Sequence, residues 1–165
     1  MSCRSAFFAF LAVLAIGIVP CPAYSSDFDG LKRVRAVWDV TATESESFEN
    51  KLALIQHAAE VLRKKGITPV FVVALNGPSV KFAAKRLSGT RFEKERIEER
   101  EDIQERLKEM HREGMRIITC KISMDQGKIS GDNLLPFVAA GENVLATIAA
   151  LQNKGYAYLP VRDSR

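Results

Sequence analysis

The sequence predicts an α/β domain built on a mainly parallel sheet, and three observations lead there. A helical stretch closed by polar or charged residues and a glycine runs into an apolar segment three times: KKG-ITPVFVV (64–73), REG-MRIITC (112–120) and NKG-YAYLPV (153–161). The segment ITPVFVVAL (67–75) is apolar without alternation and rich in β-branched residues, as a strand buried on both faces requires. The stretches between strands are long enough for right-handed βαβ crossovers. With 165 residues, 47% hydrophobic and 27% charged, the chain suits one domain.

The N-terminus reads as a leader rather than as part of that domain. Arg4 supplies a short positive region, Phe7–Val19 (FFAFLAVLAIGIV) an apolar core, and PCPAYSS the small residues of a cleavage site. Thirteen apolar residues make about 20 Å of helix, too short for a bilayer core of roughly 30 Å. Cleavage after Ala23 or Ser25 fits, leaving 26–165 as a single domain in a periplasmic or secreted setting. Cys21 raises a lipid anchor as the alternative, but Pro20 stands where a lipobox carries a small residue. Removing residues 1–25 leaves 23 of the 24 basic residues against all 20 acidic ones. That mild, mixed charge gives no reason to expect nucleic acid or, once the leader is gone, a membrane as partner.

From Val34 the chain alternates, with Val34, Ala36, Trp38 and Val40 opposite Arg33, Arg35, Val37 and Asp39, so 31–41 is the first strand. Thr43 and Glu46 have the form of a capping box. Phe48, Leu52, Ile55, Ala59 and Leu62 then form one apolar stripe on a helix to about Lys65, closed by Gly66. His57 falls on the solvated side of that helix. The second strand, 67–75, ends at the turn signal Asn76-Gly77-Pro78, and 79–87 predicts a short helix with Val80, Ala83, Ala84 and Leu87 inward.

Residues 91–113 carry seven basic and nine acidic residues around a narrow seam of Ile103, Leu107 and Met110. They predict a mostly solvated helix, supported by i,i+4 ion pairs of roughly 0.2–0.5 kcal/mol each, with His111 in its last turn. A partner-binding coiled coil is the other reading, but its heptads are not sustained. Met115–Met124 (MRIITCKISM) is the third strand, followed by a loop around Gly127 and Gly131. Asp132 is placed to cap a short helix through Leu134, Leu135 and Phe137. Val138–Ala140 is a brief fourth strand, 143–154 a helix with Val144, Ile148 and Leu151 inward, and Tyr156–Val161 the last strand.

Ligands of open parallel sheets bind beyond the strand C-termini. The candidates there are Asp39 and Thr41, then Asn76, Gly77 and Ser79, then Cys120, Lys121, Ser123 and Asp125. Neither G-x-G-x-x-G, nor G-x-x-x-x-G-K-[ST], nor G-x-S-x-G occurs, which removes the common nucleotide enzymes and α/β-hydrolases. Both histidines lie on helices away from these turns, so a Cys–His nucleophile and a zinc site lack their partners. Loss of the leader removes Cys3 and Cys21 and leaves Cys120 alone. It is either a thiolate tuned by nearby amides, or a core residue sharing a strand face with Ile118 and Ile122.

The stretches VVALNGPSV (72–80), GMRIITCKISM (114–124), LLPFVAAGENVLATIAALQ (134–152) and GYAYLP (155–160) together resemble the DsrE/DsrF-like family of small sulfur-relay proteins, in its exported branch. The resemblance implies a three-layer α/β/α fold with a mainly parallel five-stranded sheet, and homo-oligomers. It further implies that Cys120, similar in place to the family's cysteine after the third strand, carries sulfur as a persulfide. Such a carrier exchanges sulfur with a donor or acceptor protein or a small thiol and needs no metal or organic cofactor. The alternative is a non-catalytic oligomeric module that binds a small ligand or protein at the same sheet edge, with Asn76, Gly77, Ser79, Lys121, Ser123 and Asp125 as binding residues. A hydrolase or transferase with Asp39 or Asp125 as base rests on isolated carboxylates.

Overall fold

The alternating pattern after Arg33 folds as strand β1, Arg33–Thr41, in a computed structural model that describes residues 27–163. The expected leader, residues 1–25, lies outside the described residues. Helix α1 (Ser45–Lys64) buries Phe48, Leu52, Ile55, Ala59 and Leu62, the stripe read from the sequence. Strand β2 (Thr68–Leu75) follows, then a 3-10 helix, Gly77–Ala83. Helix α2 is Arg100–Arg112, β3 Arg116–Cys120, α3 Lys121–Gly127, β4 Val138–Gly141, α4 Val144–Asn153 and β5 Ala157–Arg162.

The five strands form one sheet in the order β4-β3-β2-β1-β5, and every pairing is parallel. The first three crossovers step in one direction, whereas β4 to β5 returns across the sheet. Right-handed crossovers therefore place α1 and α2 on one face and α4 on the other. Packing agrees. Phe48, Leu52, Ile55, Leu107 and Met110 join Trp38, Val40, Phe71 and Ile117 in the larger core, where the rings of Phe48 and Phe82 stack at 4.2 Å. On the opposite face Val37, Val72, Ala74, Ile118 and Cys120 meet Val144, Ile148 and Leu151 of α4. The fold is a three-layer α/β/α sandwich.

Four expectations change. Residues 91–99 are turns and irregular chain rather than the start of the charged helix. Phe92 is drawn into the core, and its amide donates to the Thr90 hydroxyl at 3.1 Å. Burying one ring outweighs exposed ion pairs worth tenths of a kcal/mol. The third strand stops at Cys120 instead of Met124, because its neighbour β4 ends opposite it at Gly141. Ser123 and Met124 then turn inward while Ile122 faces solvent, a helical arrangement that removes Ile122 from the strand face assigned to it.

The capping box at Thr43 is not formed; α1 begins at Ser45 without a side-chain cap. Asp163, arriving from the chain's other end, takes the Thr43 amide at 3.2 Å and the Ser47 hydroxyl instead. An acid from far along the chain thus serves the positive helix end. Asp132 caps no helix through 134–137. It lies in a single 3-10 turn, Gly131–Asn133, and Leu135 donates its amide to Ala83 at 2.9 Å in an extended segment.

Candidate functional site at the end of the third strand

Cys120 ends β3 and stands in the N-cap position of α3, with extended backbone (φ −82°, ψ 120°). The abrupt strand-to-helix turn leaves the first amides of α3 unused by helix bonds and aimed back toward the sulfur. Strand β4 is the neighbour of β3, and α4 starts three residues beyond it, which brings the Val144 amide to the same sulfur. Burial pushes the thiol pKa up. The amides of Val144 and Ser123, the Ser123 hydroxyl and the Ile122 amide pull it down, and together they win, holding Cys120 below the ordinary thiol value. The thiol itself makes no capping bond of regular geometry, so these groups act as oriented dipoles. The residue is 4% exposed, yet the side chains beside its donors, Ile122 and Leu145, are 50% and 62% exposed.

Ser123 connects this sulfur to the turn after β2. Its hydroxyl accepts from the Gly77 amide at 2.9 Å and donates to the Asn76 side-chain carbonyl at 3.0 Å. Gly77 has φ +53°, a conformation that favours glycine, and its Cβ position lies in van der Waals contact with Thr41 at 3.4 Å. Asn76, Gly77, Thr41, Ser123 and Cys120 are thus brought together. Ser79 is fully buried and its hydroxyl is engaged by the Ala42 amide and carbonyl at 2.7 and 3.3 Å, which docks the 3-10 helix on β1. Lys121 and Asp125 point outward and pair with each other at 2.7 Å across one helical turn. Asp39 is equally committed: fully buried, it accepts from Tyr158 at 2.8 Å and from Arg162 at 2.7 Å, both on β5.

Beside Ser123 lies a cleft of about 260 Å³ lined by Thr43, Gly77, Pro78, Arg91, Phe92, Glu95, Ser123, Gln126 and Gly127. Cys120 does not line it, and Ser123 is the residue common to both. The sequence reading missed Arg91, Phe92, Glu95, Gln126 and Gly127, which come from a stretch read as a solvated helix and from the loop read after the third strand. Their one sequence signal was a glycine, Gly127, whose Cα faces the Phe92 ring so closely that a Cβ would lie 2.8 Å from it.

The DsrE/DsrF-like family matches residues 39–161, a span that runs from within β1 to the penultimate residue of β5. The chain belongs to the DsrE/DsrF-like family. That family is associated with sulfur relay. An uncharacterized protein of Aquifex aeolicus (strain VF5) is 30% identical over 128 residues, covering 77% of this chain and 56% of the relative. This DsrE/DsrF-like chain therefore spans little more than half the length of that curated relative. Two solved structures share the fold. One, a protein of unknown function, MTH1491 from Methanobacterium thermoautotrophicum, has a TM-score of 0.60 at 15% identity, over 77% of this chain and 98% of the other. The other, the ychN protein from E. coli, has a TM-score of 0.50 at 20% identity, over 81% and 99%.

Proposed function

We propose that this chain is an exported sulfur carrier in which Cys120 accepts and passes on sulfane sulfur as a persulfide. The observation that carries the reading is the ring of donors around one sulfur, which favours its thiolate. Exchange needs that form. The Cys120 thiolate attacks the outer sulfur of a donor persulfide; a new S–S bond forms at Cys120, the donor's S–S bond breaks, and the donor sulfur leaves with the electron pair as a thiolate. Delivery is the same step run toward an acceptor thiol, with no net oxidation. The partner is a protein or small thiol that reaches the sulfur between Ile122 and Leu145, and the leader-like residues 1–25 favour a periplasmic or secreted setting.

The test is intact mass after treatment with inorganic polysulfide. A thiol-reducible gain of one sulfur, about 32 Da, is expected on the wild type and absent from Cys120→Ser. No such adduct, or one that persists in Cys120→Ser, removes the reading.

A second reading, a homo-oligomeric binding module without thiol chemistry, draws on two other observations. Cys120 is almost wholly buried, and α4 turns Leu145, Ala146 and Ala149 to solvent. It expects native Cys120 to resist iodoacetamide and Leu145→Glu to reduce the mass seen in sedimentation.

A further inference from the structure

Lys81 is a buried lysine in an otherwise apolar stretch, VKFAA, on the 3-10 helix that follows β2. Its side chain is 4% exposed, and its ammonium sits 5.2 and 5.6 Å from the ring centres of Phe82 and Phe92. Such a group is costly to bury unless an anion meets it. Here the anion is Glu95, whose carboxylate forms an ion pair with the Lys81 Nζ. The two partners are unlike. Lys81 is almost wholly buried, whereas Glu95 is 43% exposed and belongs to a segment with neither helix nor strand. Swinging Glu95 into water breaks no ladder of backbone bonds and returns one carboxylate to its preferred solvent.

Glu95 also stands at the junction of two cavities. One is the 260 Å³ cleft beside Ser123, and the other, about 210 Å³, is lined by Thr43, Glu44, Ser45, Lys81, Arg96 and Ile97 as well as Glu95. Either would hold an ion of several heavy atoms, since a water molecule takes about 30 Å³. On the cleft side, Arg91 adds a second cation, and Gln126 and Ser123 add uncharged polar groups. On the far side, which Lys81 itself lines, the Arg96 cation is offset by the Glu44 carboxylate, and no uncharged amide side chain is present.

We propose that Lys81 is the seat of a binding site for a small oxyanion entering from the Ser123 cleft, and that Glu95 is a built-in stand-in that the oxyanion displaces. The site does not depend on the chemistry of Cys120. Glu95 lowers the apparent affinity by the fraction of time that it holds Lys81; if that fraction is nine-tenths, removing it tightens binding about tenfold.

Inorganic sulfate is the probe, titrated calorimetrically into the full chain at constant ionic strength, with thermal unfolding in parallel. Glu95→Gln is expected to bind sulfate about tenfold tighter than the wild type, and to lose thermal stability in chloride and recover it in sulfate. Lys81→Met, which keeps the apolar shape, is expected to lose binding and to show only the general stabilisation that sulfate gives by exclusion. Glu95→Asp, with a shorter reach, should move in the same direction as Glu95→Gln and serves if the latter does not fold. Equal sulfate affinity in the wild type and both Glu95 variants, or retained binding in Lys81→Met, overturns the proposal. Repeating the titration on Cys120→Ser separates it from the carrier reading: sulfate binding should be unchanged there whether or not Cys120 takes up sulfur.

Discussion

The Ser123 hydroxyl donates to the Asn76 side-chain carbonyl at 3.0 Å, joining residues that follow two neighbouring strands and lie 47 positions apart. The same oxygen accepts from the Gly77 amide and lies within the influence of the Cys120 sulfur. One side chain therefore orders a turn and polarises a thiol.

Replacing it should separate those roles from simple packing. Ser123→Ala removes an acceptor from Gly77, a donor from Asn76 and a polar group beside the Cys120 sulfur, at a cost of about 1 kcal/mol in urea unfolding. It should also raise the Cys120 pKa, moving the inflection of iodoacetamide alkylation to higher pH. Because the folded pKa is depressed, the thiolate's contribution to stability is fully present above the unfolded thiol value, about 8.5, and is lost as pH falls through the lower folded value. An unchanged alkylation profile would show that the hydroxyl has no hold on the sulfur.

Gly127→Ala puts a Cβ 2.8 Å from the Phe92 ring. The ring must move, and with it the wall of the cleft that carries Arg91 and Glu95. A loss of about 1–3 kcal/mol is expected in thermal or urea unfolding, typical of overpacking. Phe92→Leu in the same chain should restore part of it; no rescue would place the strain elsewhere.

Arg162 and Asp39 offer an asymmetric pair. Arg162→Met leaves a fully buried carboxylate with only the Tyr158 hydroxyl, while Asp39→Asn leaves an arginine that is 55% exposed and can rehydrate. After allowance for solvent on Arg162, the first should cost about 2 kcal/mol and the second less. The double variant should be more stable than Arg162→Met alone. A double variant less stable than either single one contradicts this account.

Asp163 is held at a pKa of about 2 by the Lys51 ammonium and the Ser47 hydroxyl, with help from the Thr43 amide. A depressed acid contributes stability above its unfolded value of about 3.9 and loses it as pH falls toward 2. The join between β5 and the start of α1 should therefore loosen in that window. Amide exchange of Thr43 and Val161 followed from pH 5 to pH 2 measures it, and Asp163→Asn should abolish the pH dependence.

The strands and long helices were legible because their signals are local. The stripe of Phe48, Leu52, Ile55, Ala59 and Leu62 has a helical period whatever surrounds it, and the β-branched run at 67–75 needs burial on both faces. The three glycine junctions gave the alternation of helix and strand from which parallel pairing follows. That Cys120 lies on the third strand was legible for the same reason.

Where β3 stops, and so what surrounds the sulfur, was not. The residues after Cys120 suit a strand by propensity, but a strand needs a partner, and β4 ends at Gly141. Nor does spacing reveal that Asp163 serves α1, that Asp39 is consumed by Arg162 and Tyr158, or that Glu95 meets a buried lysine. The sequence by itself determined the alternation, the buried faces and the candidate thiol, because hydrophobic period and turn chemistry act over a few residues. The tertiary structure decided which polar groups meet, because charge and hydrogen-bond partners here lie 14 to 123 residues apart and only packing brings them together.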